Sequence, residues 1–333
     1  MAPAVRTGSW VLGVDSGGSG IRAALAPADA PGGGPAASVA AEPVRTGPSG
    51  IDPEHMAERL APAVRTLLAE TGASGVDAAC VGAAGMATLG DGLRAELPGF
   101  LRETFGVRRL ALAADGVTAY AGALGERPGA VVVAGTGAIA LGTDLRAWRR
   151  ADGWGHLLGD CGSGAWIGQA GLEAAMRAYD GRDGGSQPLR TRAEQVFGTP
   201  LHALPGKLYP RPDRPAVLAS FAPEVGRCAP RDPVAAGILR SAAREIARSA
   251  AAVCPEPSAD GTEPALALTG GLFRMGATLT GPVGEELAAR LPRARLVDAA
   301  GDPLQGAVAV AARLAAGSLA LPADPALLRL VGA

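Results

Sequence analysis

The stretch from Val131 to Gly168 concentrates glycines, small residues and single polar side chains, and it is where we place the chemistry. A β-branched run enters a turn at Gly135-Thr136-Gly137 and a second apolar run leaves it, which predicts a strand, a tight turn and a strand. Backbone without side chains can approach a phosphate closely, so the turn predicts an oxyanion site. Downstream, Trp154, His156 and Asp160 stand among glycines, a setting typical of a polar ligand pocket. A hairpin followed by a glycine-rich connection is the structural alternative.

A second glycine-rich turn lies near the amino terminus. The apolar run WVLGVD ends at Asp15 and is followed by Ser16-Gly17-Gly18-Ser19-Gly20. The glycine spacing imitates a dinucleotide-binding fingerprint, which requires a helix directly afterwards. Pro27 and the prolines and glycines that follow would stop such a helix, so we expect a strand, a turn and a strand, with the glycines and Ser19 facing phosphate. A plain hairpin with Asp15 in its turn is the alternative.

A single carboxylate, Asp115, follows the predicted buried strand from Arg109 to Ala114. Open α/β folds place catalytic groups at the carboxyl ends of such strands. A helical stretch comes directly afterwards, so Asp115 is also expected as the N-cap of a helix. The pattern alone leaves both roles open.

The remaining segments alternate strands and helices, and the second half of the chain repeats the plan of the first. Residues 53–70 have apolar positions at helical spacing, with Asp52 placed to cap the helix. Residues 184–188 and 205–215 are expected as surface loops. Further strands are predicted at 38–43, 76–84, 265–268 and 295–297, and further helices at 91–105, 117–124, 171–179, 216–225, 232–253 and 301–316.

The composition limits the class of protein. A length of 333 residues suits two domains of average size. Hydrophobic residues make up 48% and the mean hydropathy is +0.18, yet Gly, Arg and Asp break each apolar run before it reaches the length of a membrane span. No basic and apolar export signal precedes Trp10. The formal net charge of −1, with interspersed acidic and basic residues, gives no electrostatic footprint for nucleic acid.

The cysteines and the rare residue types add two constraints. Cys80, Cys161, Cys228 and Cys254 are scattered without CxxC spacing, which predicts a protein of the reducing cytoplasm without a structural zinc or a cysteine-ligated cluster. The chain has a single lysine, Lys207, and no asparagine. The absence of either residue type from a motif is therefore a weak sign of lost function.

With these motifs in order, the chain resembles the superfamily of sugar kinases, hsp70 and actin-like ATPases, and within it the BadF/BadG/BcrA/BcrD group that includes N-acetylglucosamine kinases. The resemblance extends over nearly the whole chain. Its most specific part is Trp154-Gly155-His156 through Gly159-Asp160-x-Gly162-Ser163, which resembles the sugar-binding signature of the N-acetylglucosamine kinases. The other matching segments are Asp15 to Ser19 with Arg22 as the first phosphate loop, Gly135 to Gly137 as the second, Asp115 to Ala123 and Pro303 to Ala309 as the connecting segments, and Thr269 to Leu272 as the adenosine motif.

The resemblance implies a two-domain, actin-like ATPase fold of the ribonuclease H-like α/β class, with an interdomain cleft. It also implies that Asp15 holds Mg²⁺ through water and that Asp115 is the base for the sugar hydroxyl. The residues implied for ATP are Gly17, Gly18, Ser19, Arg22, Gly135, Thr136, Gly137, Gly270 and Gly271. Those implied for the sugar are Ser49, Gly50, Asp115, Gly137, Trp154, Gly155, His156 and Asp160.

The expected domains are residues 1–118, with the segment 317–333 packing back on them, and residues 119–316, with a helical insertion at about 170–255. Two positions depart from the family's pattern. Gly50 and Ile139 stand where the family often has Asn. Both would sit near the sugar, so they bear on recognition of an N-acetyl group.

The expected function is ATP-dependent phosphorylation of an amino sugar, N-acetylglucosamine to its 6-phosphate first, and glucosamine or another hexosamine as the alternative. A P-loop kinase is excluded because Lys207 is followed by Leu208. Activators of acyl-CoA dehydratases share the fold but carry cysteines for a bridging iron–sulfur cluster. A sugar sensor on this fold often carries a DNA-binding helical segment, for which too few residues precede Trp10, and Asp115 favours an enzyme. The expected partner is a small sugar, with neither nucleic acid nor membrane, and a monomer and a homodimer both stay open.

Overall fold

The computed structural model describes residues 8–18, 20–29, 35–47, 50–198 and 200–332. Ser19 and Ser49, two of the predicted ligand contacts, lie outside these ranges. Contacts group the chain into two units. The first unit contains Met1–Val131, Thr143–Trp148 and Asp298–Ala333, and the second contains Val132–Gly142 and Arg149–Val297.

The first half of the chain forms the predicted amino-terminal hairpin and then alternates strands with helices. Its elements are β1 Trp10–Gly17, β2 Gly20–Pro27, β3 Ala37–Ala41, β4 Thr46–Gly47, β5 Gly50–Ile51, α1 Pro53–Thr71, β6 Ala78–Ala83, α2 Met86–Leu89, α3 Asp91–Phe105, β7 Arg109–Ala114 and α4 Asp115–Leu124.

The second half begins with another hairpin and carries a series of helices before the last strands. Its elements are β8 Gly129–Ala134, β9 Ala138–Thr143, β10 Trp148–Asp152, α5 Gly164–Asp180, α6 Gln187–Phe197, α7 Leu204–Leu208, α8 Arg214–Cys228, α9 Pro233–Val253, β11 Ala265–Thr269, α10 Ala277–Arg290, β12 Arg295–Val297, α11 Pro303–Ala316 and β13 Leu328–Val331, with short 3₁₀ turns at Leu201–Ala203 and Gly271–Met275.

The sheet of the first unit has the strand order β13-β7-β6-β1-β2-β3. Strands β1, β6 and β7 are parallel, and all six residues of β6 are buried, as expected for a strand covered on both faces. The carboxyl ends of these three strands meet at one edge. Asp15 near the end of β1 pairs in register with Gly82, which pairs with Ala113, two residues before Asp115. Because neighbouring strands are about 4.8 Å apart, Asp15 lies roughly 10 Å from Ala113 across this edge.

Helix α11 packs against β1 and α4 at unusually short range because glycines face it or belong to it. A Cβ at Gly122 would lie 2.1 Å from the Asp302 carbonyl oxygen, and one at Gly306 would lie 1.9 Å from the Thr118 carbonyl oxygen. A Cβ at Gly13 would lie 2.6 Å from the backbone nitrogen of Val308. These three contacts fix α11 against the strand that carries Asp15 and the helix that begins at Asp115.

The sheet of the second half has the order β10-β9-β8-β11-β12, and helices α5, α8 and α9 of the same half pack against one another. Helix α9 buries a stripe at helical spacing that includes Leu239, Ala243, Ile246 and Ala250. A Cβ at Gly168 of α5 would lie 1.8 Å from a carbonyl oxygen of α8, so these two helices also touch through backbone.

Most predicted elements are confirmed, and the differences have local causes. Helix α1 begins after Asp52, whose side chain accepts a hydrogen bond from the His55 N–H, as predicted. The loop expected at 205–215 is wrong, because α7 spans Leu204–Leu208 with Pro205 in its first turn, where proline is tolerated. Helices α6 and α10 and strands β10 and β13 were not predicted from the sequence.

The units place α4 and α11 with the first sheet, and β13 pairs with β7 in that sheet. The domain boundaries at residues 118 and 316 stay a prediction. In the described part of the chain, none of the helices combines the length and the hydropathy that crossing a bilayer requires.

Candidate functional site

Asp15 and Arg22 face each other across the first hairpin. The Asp15 Oδ2 accepts hydrogen bonds from Arg22 Nε at 3.2 Å and Nη2 at 2.7 Å. The remaining guanidinium nitrogen, Nη1, donates to Asp302 Oδ2 at 2.6 Å. Burial acts to lower the pKa of Arg22, but hydrogen bonds to the two carboxylates outweigh it and raise the pKa. Among the described residues, no atom beyond the chain neighbours lies within 4 Å of a Cβ built at Gly17 or Gly18, so local packing does not explain these glycines.

Asp115 is the first residue of α4, directly after the buried strand β7. The prediction that it caps this helix is wrong: Ala114, with extended backbone at φ −61° and ψ 145°, occupies the N-cap position. The Asp115 Oδ1 accepts a hydrogen bond from the Gly116 N–H at 2.9 Å. Asp115 thus lies in the first turn of α4, at the positive end of the helix dipole.

The second phosphate loop, Gly135 to Gly137, joins β8 to β9 and lies at the start of α5. The Gly135 and Thr136 carbonyls accept hydrogen bonds from the N–H groups of Gly164, at 2.8 Å, and Ala165, at 3.1 Å. A Cβ built at Gly135 meets nothing within 4 Å in the described structure. The glycine is therefore not required by packing, which leaves room for a ligand to approach the backbone.

The adenosine motif lies beside this loop. A Cβ at Gly270, where φ is +107°, would lie 2.2 Å from the carbonyl oxygen of Ala134, the last residue of β8. Glycine is required there both by conformation and by contact. A Cβ at Gly271 meets nothing within 4 Å in the described structure. The structure thus brings the second phosphate loop and both glycines of the adenosine motif together.

Asp152, which we did not predict from the sequence, organises the sugar loop, defined here as residues 153–163. Its Oδ1 accepts hydrogen bonds from the N–H groups of Gly153 at 2.7 Å and Asp160 at 2.5 Å, and its Oδ2 accepts one from Cys161 at 2.8 Å. Asp152 and Asp160 have φ values of 63° and 55°, a region that residues other than glycine rarely adopt. The carboxylate of Asp152 therefore holds the start of the loop, at Gly153, close to Asp160 and Cys161.

Asp160 faces the second phosphate loop. A Cβ at Gly137 would lie 2.8 Å from Asp160 Oδ2, so only glycine at position 137 allows this approach. Burial, the largest cause, raises the pKa of Asp160, and the nearby Asp152 charge raises it further. The backbone N–H groups of Ala138 and Gly155 and the neighbouring His156 act in the opposite direction. The site thus holds a half-buried carboxylate that can accept hydrogen bonds from hydroxyl groups.

Trp154 is 60% exposed and is held from one side by Arg150. The Arg150 guanidinium carbon lies 4.3 Å from the centre of the indole ring. Arg150 also donates to the carbonyl oxygens of Asp152 at 3.1 Å and Gly153 at 2.6 Å. The ring is therefore oriented while much of it stays open to a ligand.

His156 and Leu157 line a cavity of about 520 Å³ between helices of the second unit. Its walls are mainly apolar, and besides His156 the charged or polar lining residues are Gln169, Glu173, Arg177, Arg182, Tyr209 and Arg214. The volume is in the range of small-molecule sites, roughly 300–1,000 Å³. His156 lies next to Asp160 as well as on the cavity wall, so the cavity borders the sugar loop.

The two positions that depart from the family's pattern have structural roles. Gly50 has a φ of +94°, and a Cβ there would lie 2.2 Å from the Leu89 carbonyl oxygen, so backbone geometry requires glycine at this position. Ile139 packs on the sugar loop, since a Cβ at Gly153 would lie 2.9 Å from Ile139 Cδ1. Neither residue offers a polar side chain to a sugar.

The predicted site residues thus fall into two sets. Asp15, Arg22 and Asp115 lie at one edge of the first unit's sheet, and Gly135 to Gly137, the sugar loop and Gly270 with Gly271 come together in the second unit. Within the described residues there is no cluster of three or more His, Cys, Asp or Glu side chains that could hold a metal. Mg²⁺ keeps several waters and takes one or two carboxylates with substrate phosphates, so Asp15 alone fits such a site.

Comparisons with known proteins show the family and the fold of the chain. The sequence is 28% identical over 237 residues to an N-acetylmuramic acid/N-acetylglucosamine kinase of Clostridium acetobutylicum, covering 70% of this chain and 76% of that protein. The fold is similar to a candidate N-acetylglucosamine kinase of Chromobacterium violaceum, with a TM-score of 0.66 and 28% identity over 91% of this chain and 99% of the other. A ROK family glucokinase of Streptomyces griseus has the same fold at 19% identity, with a TM-score of 0.54 and coverage of 91% and 98%.

The strand–helix plan and these structures define an α/β protein with the actin-like ATPase fold of sugar kinases. The model of the BadF/BadG/BcrA/BcrD ATPase family matches residues 12–311, and the chain belongs to that family.

Proposed function

We propose that this chain transfers a phosphoryl group from ATP to an amino sugar, and that N-acetylglucosamine is converted to its 6-phosphate. The observation that carries the proposal is the contact between the sugar loop and the second phosphate loop, where Asp160 Oδ2 fills the space that a Cβ at Gly137 would need. A carboxylate suited to sugar hydroxyls thus lies beside backbone suited to phosphate. The class of enzyme is an ATP-dependent carbohydrate kinase, supported by the family, the fold and the similar kinases.

In this proposal, the predicted carboxylates, Trp154, Arg22 and the two glycine-rich turns have separate parts in the reaction. Asp115 accepts the proton of the sugar hydroxyl as that oxygen attacks the γ-phosphate, and Asp160 and Trp154 hold the sugar. Backbone at Gly135 to Gly137 and at the first hairpin binds the phosphates, and Arg22 balances their charge. Mg²⁺, held by Asp15 through water, would neutralise charge on the β- and γ-phosphates.

The cavity beside His156 favours a second candidate substrate, N-acetylmuramic acid, which the Clostridium acetobutylicum relative is named for. Arg177, Arg182 and Arg214 outnumber the one carboxylate of the lining, Glu173. Arg182 is paired with Asp180 outside the lining, yet the balance of charge still attracts an anion. A sugar whose substituent carries a carboxylate would fit this charge better than a neutral one.

The test is a panel of sugars incubated with MgATP and scored for ADP release. The panel contains N-acetylglucosamine, glucosamine, N-acetylmannosamine, N-acetylmuramic acid and glucose. We expect N-acetylglucosamine or N-acetylmuramic acid to give the highest kcat/KM, and their ratio decides between the two candidates. No sugar-dependent ADP release from any of the five would contradict the kinase proposal and favour a sugar sensor.

An acyl-CoA dehydratase activator is disfavoured by the cysteines. Cys80 lies in the centre of β6 and is fully buried, and burial raises its pKa. Cys254 is also buried, and burial raises its pKa to about 11. Ligands of an iron–sulfur cluster are thiolates, which these two environments disfavour. Stoichiometric iron and visible absorbance after anaerobic purification would reverse this conclusion.

A further inference from the structure

Arg22 lies between two carboxylates that come from opposite ends of the chain. Asp15, directly opposite Arg22 in the hairpin, accepts two of its hydrogen bonds on a single oxygen, Oδ2. Asp302, 280 residues away in sequence, accepts the third at 2.6 Å. The planar guanidinium group thus binds two carboxylates at once, with Nε and Nη2 on Asp15 and Nη1 on Asp302.

Asp302 is held in place independently of Arg22. Its Oδ1 accepts the Gln305 N–H at 2.9 Å, while the Gln305 side chain accepts the Asp302 N–H, which together form a capping box at the start of α11. The same segment is fixed to α4 by the short contact of Gly122 with the Asp302 carbonyl and by a hydrogen bond from the Ala300 N–H to the Ala123 carbonyl. One oxygen of the Asp302 carboxylate therefore caps the helix, and the other accepts a hydrogen bond from Arg22.

We propose that Asp302 is a positioning residue for the phosphate site. By binding one nitrogen of the Arg22 guanidinium group, it prevents Arg22 from pairing with Asp15 alone. The inference rests on the proposed function, in which Asp15 faces hydrated Mg²⁺ and Arg22 faces phosphate. With Asp302 present, Arg22 keeps its ion pair with Asp302 when Asp15 leaves Arg22 to bind the hydrated metal. Without the Asp302 charge, Arg22 pairs with Asp15 alone and competes with the metal for that carboxylate.

The variants separate the ion pair from the helix cap. Asp302→Asn keeps a good N-cap and removes the charge, and Asp302→Ser does the same with a shorter side chain. Asp302→Glu keeps the charge but is a poor N-cap. A purely structural role predicts that the Asn and Ser variants resemble the wild type and that the Glu variant is impaired, whereas our proposal predicts the reverse order. Asp52→Asn, at the capping aspartate of α1 that also faces an arginine, is the matched control.

The readout is direct binding of Mn²⁺ with ADP, measured by electron paramagnetic resonance without any sugar. We expect Asp302→Asn and Asp302→Ser to weaken Mn²⁺ binding about tenfold or more, the usual effect of losing an outer partner of a metal ligand, and Asp302→Glu to stay within about threefold of the wild type. In an Arg22→Gln background, Asp302→Asn should have little further effect on Mn²⁺ binding, because the guanidinium group that competes with the metal for Asp15 is already absent. Melting temperatures of the free proteins verify folding.

Two results would overturn the inference alone and leave the proposed function standing. Mn²⁺ binding by Asp302→Asn within twofold of the wild type, or an undiminished effect in the Arg22→Gln background, would remove the positioning role while leaving the nucleotide site intact. A wild-type chain that bound no Mn²⁺ with ADP would contradict the nucleotide role of the whole hairpin, and the inference with it.

Discussion

At the scale of single residues, Asp115 carries the most direct prediction. It follows a buried strand and accepts a hydrogen bond from the Gly116 N–H, so Asp115→Asn keeps its size and one acceptor oxygen while removing the charge. A general base of this kind contributes about 10²–10⁴ in rate, so we expect kcat to fall at least a hundredfold and sugar affinity to change less than about tenfold. Steady-state kinetics and sugar titrations measure both.

The control for this variant is Asp91→Asn. Asp91 is likewise the first residue of a helix, α3, but its side chain is fully exposed to solvent. We expect wild-type kinetics from it. A normal kcat for Asp115→Asn would reject the base role, and the same loss in both variants would point to a general effect on the helices.

Asp160 is predicted to act on binding instead. Asp160→Asn should raise KM for the sugar more than it lowers kcat, because it removes a charged acceptor that contacts the sugar in the ground state. Burial raises the pKa of Asp160, so in the wild type KM should begin to rise on acidification at a pH above 3.8, the ordinary value for aspartate. If Asp160→Asn lost turnover with normal sugar binding while Asp115→Asn stayed active, the two roles would have to be exchanged.

The same pKa shift has a consequence for stability. A carboxyl whose pKa is raised by folding stabilises the native state below its unfolded pKa and loses that contribution as the pH rises through the folded pKa. At neutral pH the ionised Asp160 therefore lowers the free energy of unfolding, and Asp160→Asn removes this destabilisation. The melting temperature of the variant relative to the wild type should be higher at about pH 7 than at about pH 4.

At the scale of elements, α11 packs against both β1, which carries Asp15, and α4, which begins at Asp115. Gly306→Ala would place a methyl group 1.9 Å from the Thr118 carbonyl oxygen, which is backbone and cannot turn aside. We expect a loss of at least about 2 kcal/mol in the free energy of unfolding, within the range of overpacking, and a lower kcat because α4 and Asp115 must shift. Denaturant unfolding and kinetics measure the two effects.

Gly284→Ala in α10 is the matched control, since a Cβ there meets nothing within 4 Å in the described structure. Alanine is the better helix former, so this variant should gain about 0.5–1 kcal/mol. Equal stability of Gly306→Ala and the wild type would mean that α11 can move away from α4, contrary to the close packing described above.

The elements predicted correctly from the sequence are those that nearby residues specify, such as a turn glycine, a capping carboxylate or an apolar spacing. The first hairpin followed from Pro27 and the glycines, and α1 from Asp52 and its apolar spacing. The roles of Asp152 and Asp302 were missed because both depend on distant partners. Asp152 accepts N–H groups up to nine residues away in a loop with positive φ, and Asp302 meets Arg22 across 280 residues. A carboxylate just before a glycine-rich motif was the available signal for Asp152.

The glycine at position 50 illustrates the same limit. The chain contains no asparagine, and this bias in composition would by itself account for the departure from the family's pattern. The structure gives a different cause, because the φ of +94° and the contact with the Leu89 carbonyl both require glycine. Neither property can be read from composition, since they depend on how β5 meets α2.

At the scale of the whole molecule, the predicted ligand residues divide between the two units. Asp15 lies in the first unit with Arg22, and Asp160 lies in the second with the sugar loop. A kinase and a sugar sensor on this fold both bind a sugar, so sugar binding alone does not separate them. A kinase must also bind a metal nucleotide, and the two ligands should depend on different carboxylates.

Thermal unfolding tests this division. A ligand at a hundred times its Kd stabilises the folded state by about 2.7 kcal/mol, which should raise Tm by roughly 4 °C in a chain of this size. We expect MgADP and N-acetylglucosamine each to produce such a shift in the wild type. Asp15→Asn should lose most of the MgADP shift and keep the sugar shift, and Asp160→Asn should do the reverse. A full MgADP shift in Asp15→Asn would show that the metal nucleotide is held without this carboxylate, and a wild type stabilised by sugar alone would identify a sensor.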